Sequence, residues 1–215
     1  MHTSFSTPIL EEQATHKSLP KEMFAPKPLL FVKKLLICFS ITAIAILPII
    51  LNSNPILLAI SIIVLGIMYT HVIELQHEAL HEGAFKSKKL NRLIGFVLRI
   101  FTFSSFSHYK HNHLLHHIHL GTKENREFFN YRFKNLNSIT GFVFGMFNLT
   151  RYVDVLRNTF LIFSSKPLKG ITSVKWEKKI KSEYRLMFLI LLASIVCTIY
   201  TGSFIFVFAW YLPVV

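Results

Sequence analysis

The sequence predicts an all-α membrane protein in which two transmembrane helical hairpins flank a cytoplasmic, histidine-bearing segment with interfacial helices. Three observations lead there. Hydrophobic residues make up 52% of the 215 positions, and Phe alone accounts for 21 of them, which is more apolar than a soluble domain of this size sustains. Long uncharged runs come in two pairs, each pair divided by a short turn. Every Lys and Arg lies either at or before Lys34 or between Lys86 and Arg185, so neither turn carries basic charge.

Residues 1–28 are a polar tail of mixed charge without an apolar core, which does not read as a cleaved signal peptide. Residues 29–76 form the first hairpin. Leu29–Val32, Lys33-Lys34 and the run Leu35–Leu51, with Pro48 inside it, supply one span; Asn52-Ser53-Asn54 is the turn, and Pro55 opens a second run reaching Thr70. About 20 residues at 1.5 Å each cross roughly 30 Å of hydrocarbon. A helix starting at Pro55 therefore meets the opposite interface near Glu74 and carries His77 and His81 just beyond it. Residues 77–184 are the histidine-bearing segment. Its apolar stretches Leu90–Phe106 and Ile139–Phe163 are broken by Arg92, Arg99, Arg151, Asp154 and Arg157 and read as interfacial or re-entrant helices. Lys166–Lys181 reads as a basic connector containing Pro and Gly. Residues 185–215 are the second hairpin, with Leu186–Thr201 as a third span, Gly202 as the turn and Ser203–Val215 as an incomplete fourth.

The positive-inside rule places the N-terminus and the histidine-bearing segment in the cytoplasm. The formal charge of +13 is then a topology signal and an attraction for anionic lipid. No nucleic-acid motif organises it, so no nucleic-acid partner is expected. Cys38 and Cys197 lie in apolar runs and give neither a disulfide framework nor a C-x-x-C ligand pair. Asn148-Leu149-Thr150 fits a glycosylation acceptor but falls on the cytoplasmic side. Trp176, Tyr200, Trp210 and Tyr211 suit either an interfacial belt or packing within the bundle.

Nine of the 11 histidines fall between positions 71 and 119. His77-Glu78-Ala79-Leu80-His81 puts two imidazoles four residues apart, on one helix face. His113-Leu114-Leu115-His116-His117 puts three at i, i+3 and i+4. Two such helices facing each other can surround one or two metal ions, and imidazole suits iron, copper or zinc. Glu78 and Glu82 border the first cluster, as acceptors that orient ring N–H groups or as further ligands. His108, His111 and His119 surround the second cluster, and His71 reads as an interfacial histidine. A metal or proton transporter would need ionisable residues deep in the spans, whereas Lys33, Lys34, His71 and Glu74 all sit near span ends.

The run from His77 through Lys86, followed by Leu90-Asn91-Arg92-Leu93-Ile94-Gly95, resembles the first histidine box and its sequel in the integral-membrane fatty acid desaturase and hydroxylase superfamily. His113-Leu-Leu-His116-His117-Ile-His119-Leu-Gly121-Thr122 resembles the second box, H-x-x-H-H. The resemblance implies a non-haem di-iron enzyme that uses O2 as co-substrate to remove hydrogen from unactivated C–H bonds of lipid acyl chains. It implies His77, His81, His113, His116 and His117 as iron ligands, with no catalytic residue separate from them. The implied partners are the membrane, a lipid acyl substrate and an electron carrier such as a ferredoxin or cytochrome b5. The family's third box has no counterpart here, since no histidine occurs from Leu120 to Val215. The chain is therefore expected to be a shortened desaturase, impaired when alone. A carotenoid ketolase or hydroxylase of the same superfamily is the alternative enzyme. A non-catalytic remnant, or a metal-binding membrane subunit completed by another polypeptide, is the alternative outside catalysis.

Overall fold

The structure is a computed structural model and describes residues 25–120, 122, 138–141, 153, 156–157, 160–164, 167–168 and 170–214. Every regular element among the described residues is helical. Helix α1 spans Pro28–Ile50 and starts with a proline at its first position, where a missing N–H costs nothing. It ends at a turn in which Asn52 takes a positive φ of 48°. Asn54 then caps α2, Pro55–Leu80, its side-chain oxygen accepting from Ile56 N at 3.1 Å and Leu57 N at 3.0 Å. Twenty-six residues give α2 a length of about 39 Å, a turn or more beyond the hydrocarbon.

The two helices pack along matched stripes. On α1 the buried positions are Phe31, Cys38, Ala45 and Ile49. On α2 they include Ser61, Leu65, Met68, Val72, Leu75 and Ala79, alternating steps of four and three that keep one seam facing a partner. Outside that seam the helices are apolar and uncovered, with Leu36, Ile44, Ile56 and Ile63 all more than 60% exposed. In the stretches apolar enough to span a membrane, only 17% of α1 and 28% of α2 is buried. Hydrocarbon is the solvent that such a surface fits.

Helix α3, Lys88–Ile100, is capped by Ser87, whose hydroxyl accepts from Leu90 N at 3.3 Å. It is strongly amphipathic. Asn91, Gly95 and Leu98 are its buried positions and it packs on α2, while Leu90, Leu93, Val97, Lys88, Lys89 and Arg92 are exposed. Buried Asn91 fixes the preceding turn, accepting from Phe85 N at 3.0 Å and donating to Phe85 O at 2.5 Å. The single interfacial stretch expected over Leu90–Phe106 is thus a helix, a turn at 101–105 and the start of α4, Phe106–Ile118. Gly95 lets the Phe106 ring lie directly against the α3 backbone.

Helix α5, Val174–Thr201, is the third element long and apolar enough to span. It begins well before the apolar run, so the basic connector expected up to Lys181 is in fact partly helix. Two i,i+4 ion pairs support those turns, Lys181 with Glu177 at 2.7 Å and Lys179 with Glu183 at 3.7 Å. Gly202, at φ 62°, terminates it in the left-handed conformation that suits glycine. Val207–Tyr211 follows as a π-helical segment docked on α1 and α2. Tyr69 Oη donates to Ala209 O at 2.6 Å, Trp210 Nε1 donates to Phe101 O at 2.9 Å, and the Trp210 and Phe103 rings stack at 4.5 Å. Trp210 and Tyr211 therefore pack within the bundle. Residues 1–24, Asn148–Thr150 and most of Ile139–Phe163 lie outside the described residues.

Candidate metal centre

The last turn of α2 and the second half of α4 meet through their imidazoles. His77 sits in that last turn, and His81 is the residue that caps it. His113 and His117 lie four residues apart on α4. One ring nitrogen from each of the four lies within 4.8 Å of all the others. His113 Nε2 is the hub, at 2.9 Å from His77 Nε2, 3.0 Å from His81 Nε2 and 2.9 Å from His117 Nε2. His81 and His117 Nε2 are 3.3 Å apart.

These contacts are not satisfiable as hydrogen bonds. A ring nitrogen has one in-plane site, either a proton to donate or a lone pair to accept. His113 Nε2 can therefore bond one of its three neighbours, not all of them. A cation removes the conflict, since four lone pairs can point at it together. Metal–nitrogen distances near 2.0–2.1 Å put donors roughly 2.9 Å apart at a right angle and roughly 3.4 Å apart at the tetrahedral angle. Four of the six separations, 2.9 to 3.3 Å, fall within those limits, and all six are within 4.8 Å.

Electrostatics favours the same use. Burial, then the neighbouring imidazoles of His77, His117 and His116, hold His113 down to about 4. Burial and the imidazoles of His77, His113 and His117, with Lys110 last, do the same for His81, also to about 4. Both rings are neutral at pH 7, so their lone pairs are available. His113 is buried while His81 and His117 are exposed, leaving the site open on one side.

The remaining histidines divide. His116 borders the cluster, its ring 5.7 Å from that of His113 and 5.5 Å from that of His117, but it is not one of the four converging groups. His108 faces α5, with Nδ1 at 2.9 Å from Tyr184 Oη. His111 Nε2 is 3.2 Å from Gly170 O. His71 is exposed and pairs with Glu74 at 3.0 Å. The two glutamates beside the first cluster turn away from it. Glu78 pairs with Lys34 at 2.8 Å, and Glu82 with Lys88 at 3.6 Å and Lys110 at 3.7 Å. Glu78 is about 100° of helix rotation from His77, and Glu82 lies past the end of α2 with a positive φ of 62°.

Sequence alone does not single out the residues that seat α4. Ser105, Ser107 and Glu183 form a buried polar knot at its N-terminus. The Ser-x-Ser pattern at 105–107 is a cap signal, but nothing local connects it to a carboxylate on α5.

Fold and site together define a helical, multi-pass membrane protein with a histidine cluster able to hold a metal ion. The family model described as Fatty acid desaturase matches residues 53–215, well over half of the chain, and the chain belongs to that family. Neither a curated protein nor a solved structure matches it. The family is one of membrane oxidoreductases, typically with two irons, and the four close histidines suit that setting.

Proposed function

We propose that this chain is an O2-dependent, iron-using membrane oxidoreductase of lipid acyl chains, with His77, His81, His113 and His117 holding one ion and His116 standing beside them for a second. The observation that carries this is the convergence of four Nε2 atoms, in a member of the fatty acid desaturase family, on a point that hydrogen bonding cannot satisfy. Iron bound there would supply O2 activation for breaking an unactivated C–H bond, with the electrons delivered by a carrier. The chain's own residues do the rest. Neutral His81 and His113 present lone pairs at neutral pH. The length of α2 sets His77 and His81 at the membrane surface, within reach of an acyl chain lying in the bilayer. The distribution of Lys and Arg supports a cytoplasmic location for the site. A basic cytoplasmic face would attract an acidic electron carrier such as a ferredoxin or cytochrome b5.

Four nitrogens can hold one ion and leave its open side free for O2, whereas two irons would need more donors than the described residues bring together. Weak or absent desaturation by the chain alone follows. The same count favours one second reading, a metal-binding membrane subunit completed by another polypeptide. The test is metal analysis of the chain purified in detergent without chelators, beside His113→Ala, then product analysis of lipids and carotenoids with reduced ferredoxin and O2. Iron in the wild type that is lost in His113→Ala supports the reading; equal iron in both refutes it. Two irons per chain with oxidised acyl products refute the impairment. Oxidised pigment in place of oxidised lipid moves the substrate to carotenoids.

A further inference from the structure

We propose that Arg99 is a positioning residue for the metal centre, setting the distance and tilt at which α4 offers His113 to the two histidines of α2. The inference rests on the metal-centre reading above. Helix α4 packs on α3 and α5, so the histidine-bearing ends of α2 and α4 need a link that does not depend on the metal. Arg99, on the intervening α3, supplies it. Its Nη1 donates to Gln76 Oε1 at 2.9 Å, and Gln76 precedes His77 on α2. Its guanidinium carbon lies 4.3 Å from the centre of the Tyr109 ring, well inside the ~6 Å over which a cation is held by a ring face. Tyr109 in turn stacks on the His113 imidazole, ring centres 5.5 Å apart and planes 25° apart. A continuous path therefore runs from the residue before one ligand, through α3, to the face of another.

Gln76 has no exposed surface, and its Nε2 is buried without a hydrogen-bond partner among the described residues. Burial of an amide with half of its bonding unmet is unfavourable, so Gln76 is placed for the one bond that its oxygen accepts. Arginine suits the bridge because its planar fork can bond in plane while its face stacks on a ring. Lysine keeps the charge but not both contacts at once. Groups that orient metal-binding imidazoles from outside typically change metal affinity 10- to 100-fold when removed.

The experiment uses the full chain in detergent micelles, stripped of metal and titrated with Co2+, whose ligand-field absorption reports donor geometry. His113→Ala defines binding elsewhere on the chain. Arg99→Gln and Tyr109→Leu are expected to weaken Co2+ binding about tenfold or more and to shift the absorption band. Arg99→Lys should restore part of the affinity, and Tyr109→Phe, which keeps the ring between Arg99 and His113, should retain more of it than Tyr109→Leu. A folded Arg99→Gln with wild-type affinity and band overturns the inference. Should Arg99→Gln not fold, Tyr109→Leu decides alone, since it leaves the Arg99–Gln76 bond in place; an unchanged band and affinity there also overturn it. Equal Co2+ binding by the wild type and His113→Ala overturns the metal centre itself, and this inference with it.

Discussion

Replacing Glu183 measures how firmly the second histidine helix is seated. The residue is 8% exposed, and its oxygens take three hydrogen bonds from the start of α4. Ser105 Oγ donates to Oε2 at 2.7 Å, Ser107 N–H to Oε2 at 2.8 Å and Ser107 Oγ to Oε1 at 2.5 Å. A carboxylate at a helix N-terminus is also favoured by the peptide dipoles. In Glu183→Gln the amide oxygen can keep the first two bonds, and the Ser107 hydroxyl can rotate to accept from the NH2 group. What disappears is charge. Hydrogen bonds to charged groups contribute about 1.5–3 kcal/mol and neutral ones about 0.5–1.5, so three bonds lose about 3 kcal/mol together. Glu183→Ala removes the acceptors altogether and leaves the buried Ser107 N–H unpaired, for a loss of at least about 4.5 kcal/mol by the same figures. The assay is unfolding by graded SDS in mild detergent, followed by circular dichroism. Ser107→Ala should cost little more in the Glu183→Ala background than no change at all, because its partner is already gone. Glu183→Ala within about 0.5 kcal/mol of the wild type, the range of an ordinary surface substitution, or full additivity with Ser107→Ala, would refute the seating role.

Three other outcomes are expected. In Gly95→Ala the new Cβ would stand 2.6 Å from Phe106 Cζ and closer still to Cε2; Phe106 is 2% exposed and has nowhere to go, so the same unfolding assay should show a loss of about 1–3 kcal/mol, and no loss would mean that α3 and α4 slide freely. His108 is held down to about 4, by burial first and then by His111, Arg99 and Arg157 against the opposing pull of Glu183. The unfolded chain therefore binds the extra proton between its ordinary 6.5 and that value, so this contribution to stability is complete above 6.5 and is lost as pH falls toward 4. Thermal unfolding of metal-free protein should show that slope together with the like contributions of His81 and His113, and His108→Phe should make it shallower without removing it; equal slopes in the two would contradict the assignment. Finally, His113→Ala should abolish Co2+ binding at the four-nitrogen site while His116→Ala leaves its affinity nearly unchanged, and an equal loss in both by titration would place His116 inside that site.

The spans were legible because the bilayer imposes a length and forbids charge over it. The α1 expected from Leu29 to Leu51 is Pro28–Ile50, and the turn at Asn52–Asn54 stands where the polar triplet is. The start of α5 was not legible by the same rule. Apolarity marks only the part of a helix inside hydrocarbon, and Val174–Arg185 lies before it. There the helix is held by Glu177 with Lys181 and by Glu183 with both Lys179 and the turn before α4. A stretch rich in Lys reads as a connector until those carboxylates are given their partners.

The site divides along the same line between local and distant causes. That His77 and His81 share a face, and that His113 and His117 share another, follows from a four-residue spacing and needs no tertiary structure. Which of His116 and His117 turns inward does not follow from spacing. Relative to His113 one lies about 60° behind on the helix and the other about 40° ahead, and a small rotation of α4 would exchange them. That rotation is set by contacts far apart in sequence. Glu183 grips the first turn from α5, Phe106 lies in the notch at Gly95, and Tyr109 is held under Arg99. The proposed chemistry rests on the histidines, but the selection of four from the cluster belongs to residues that lie outside it.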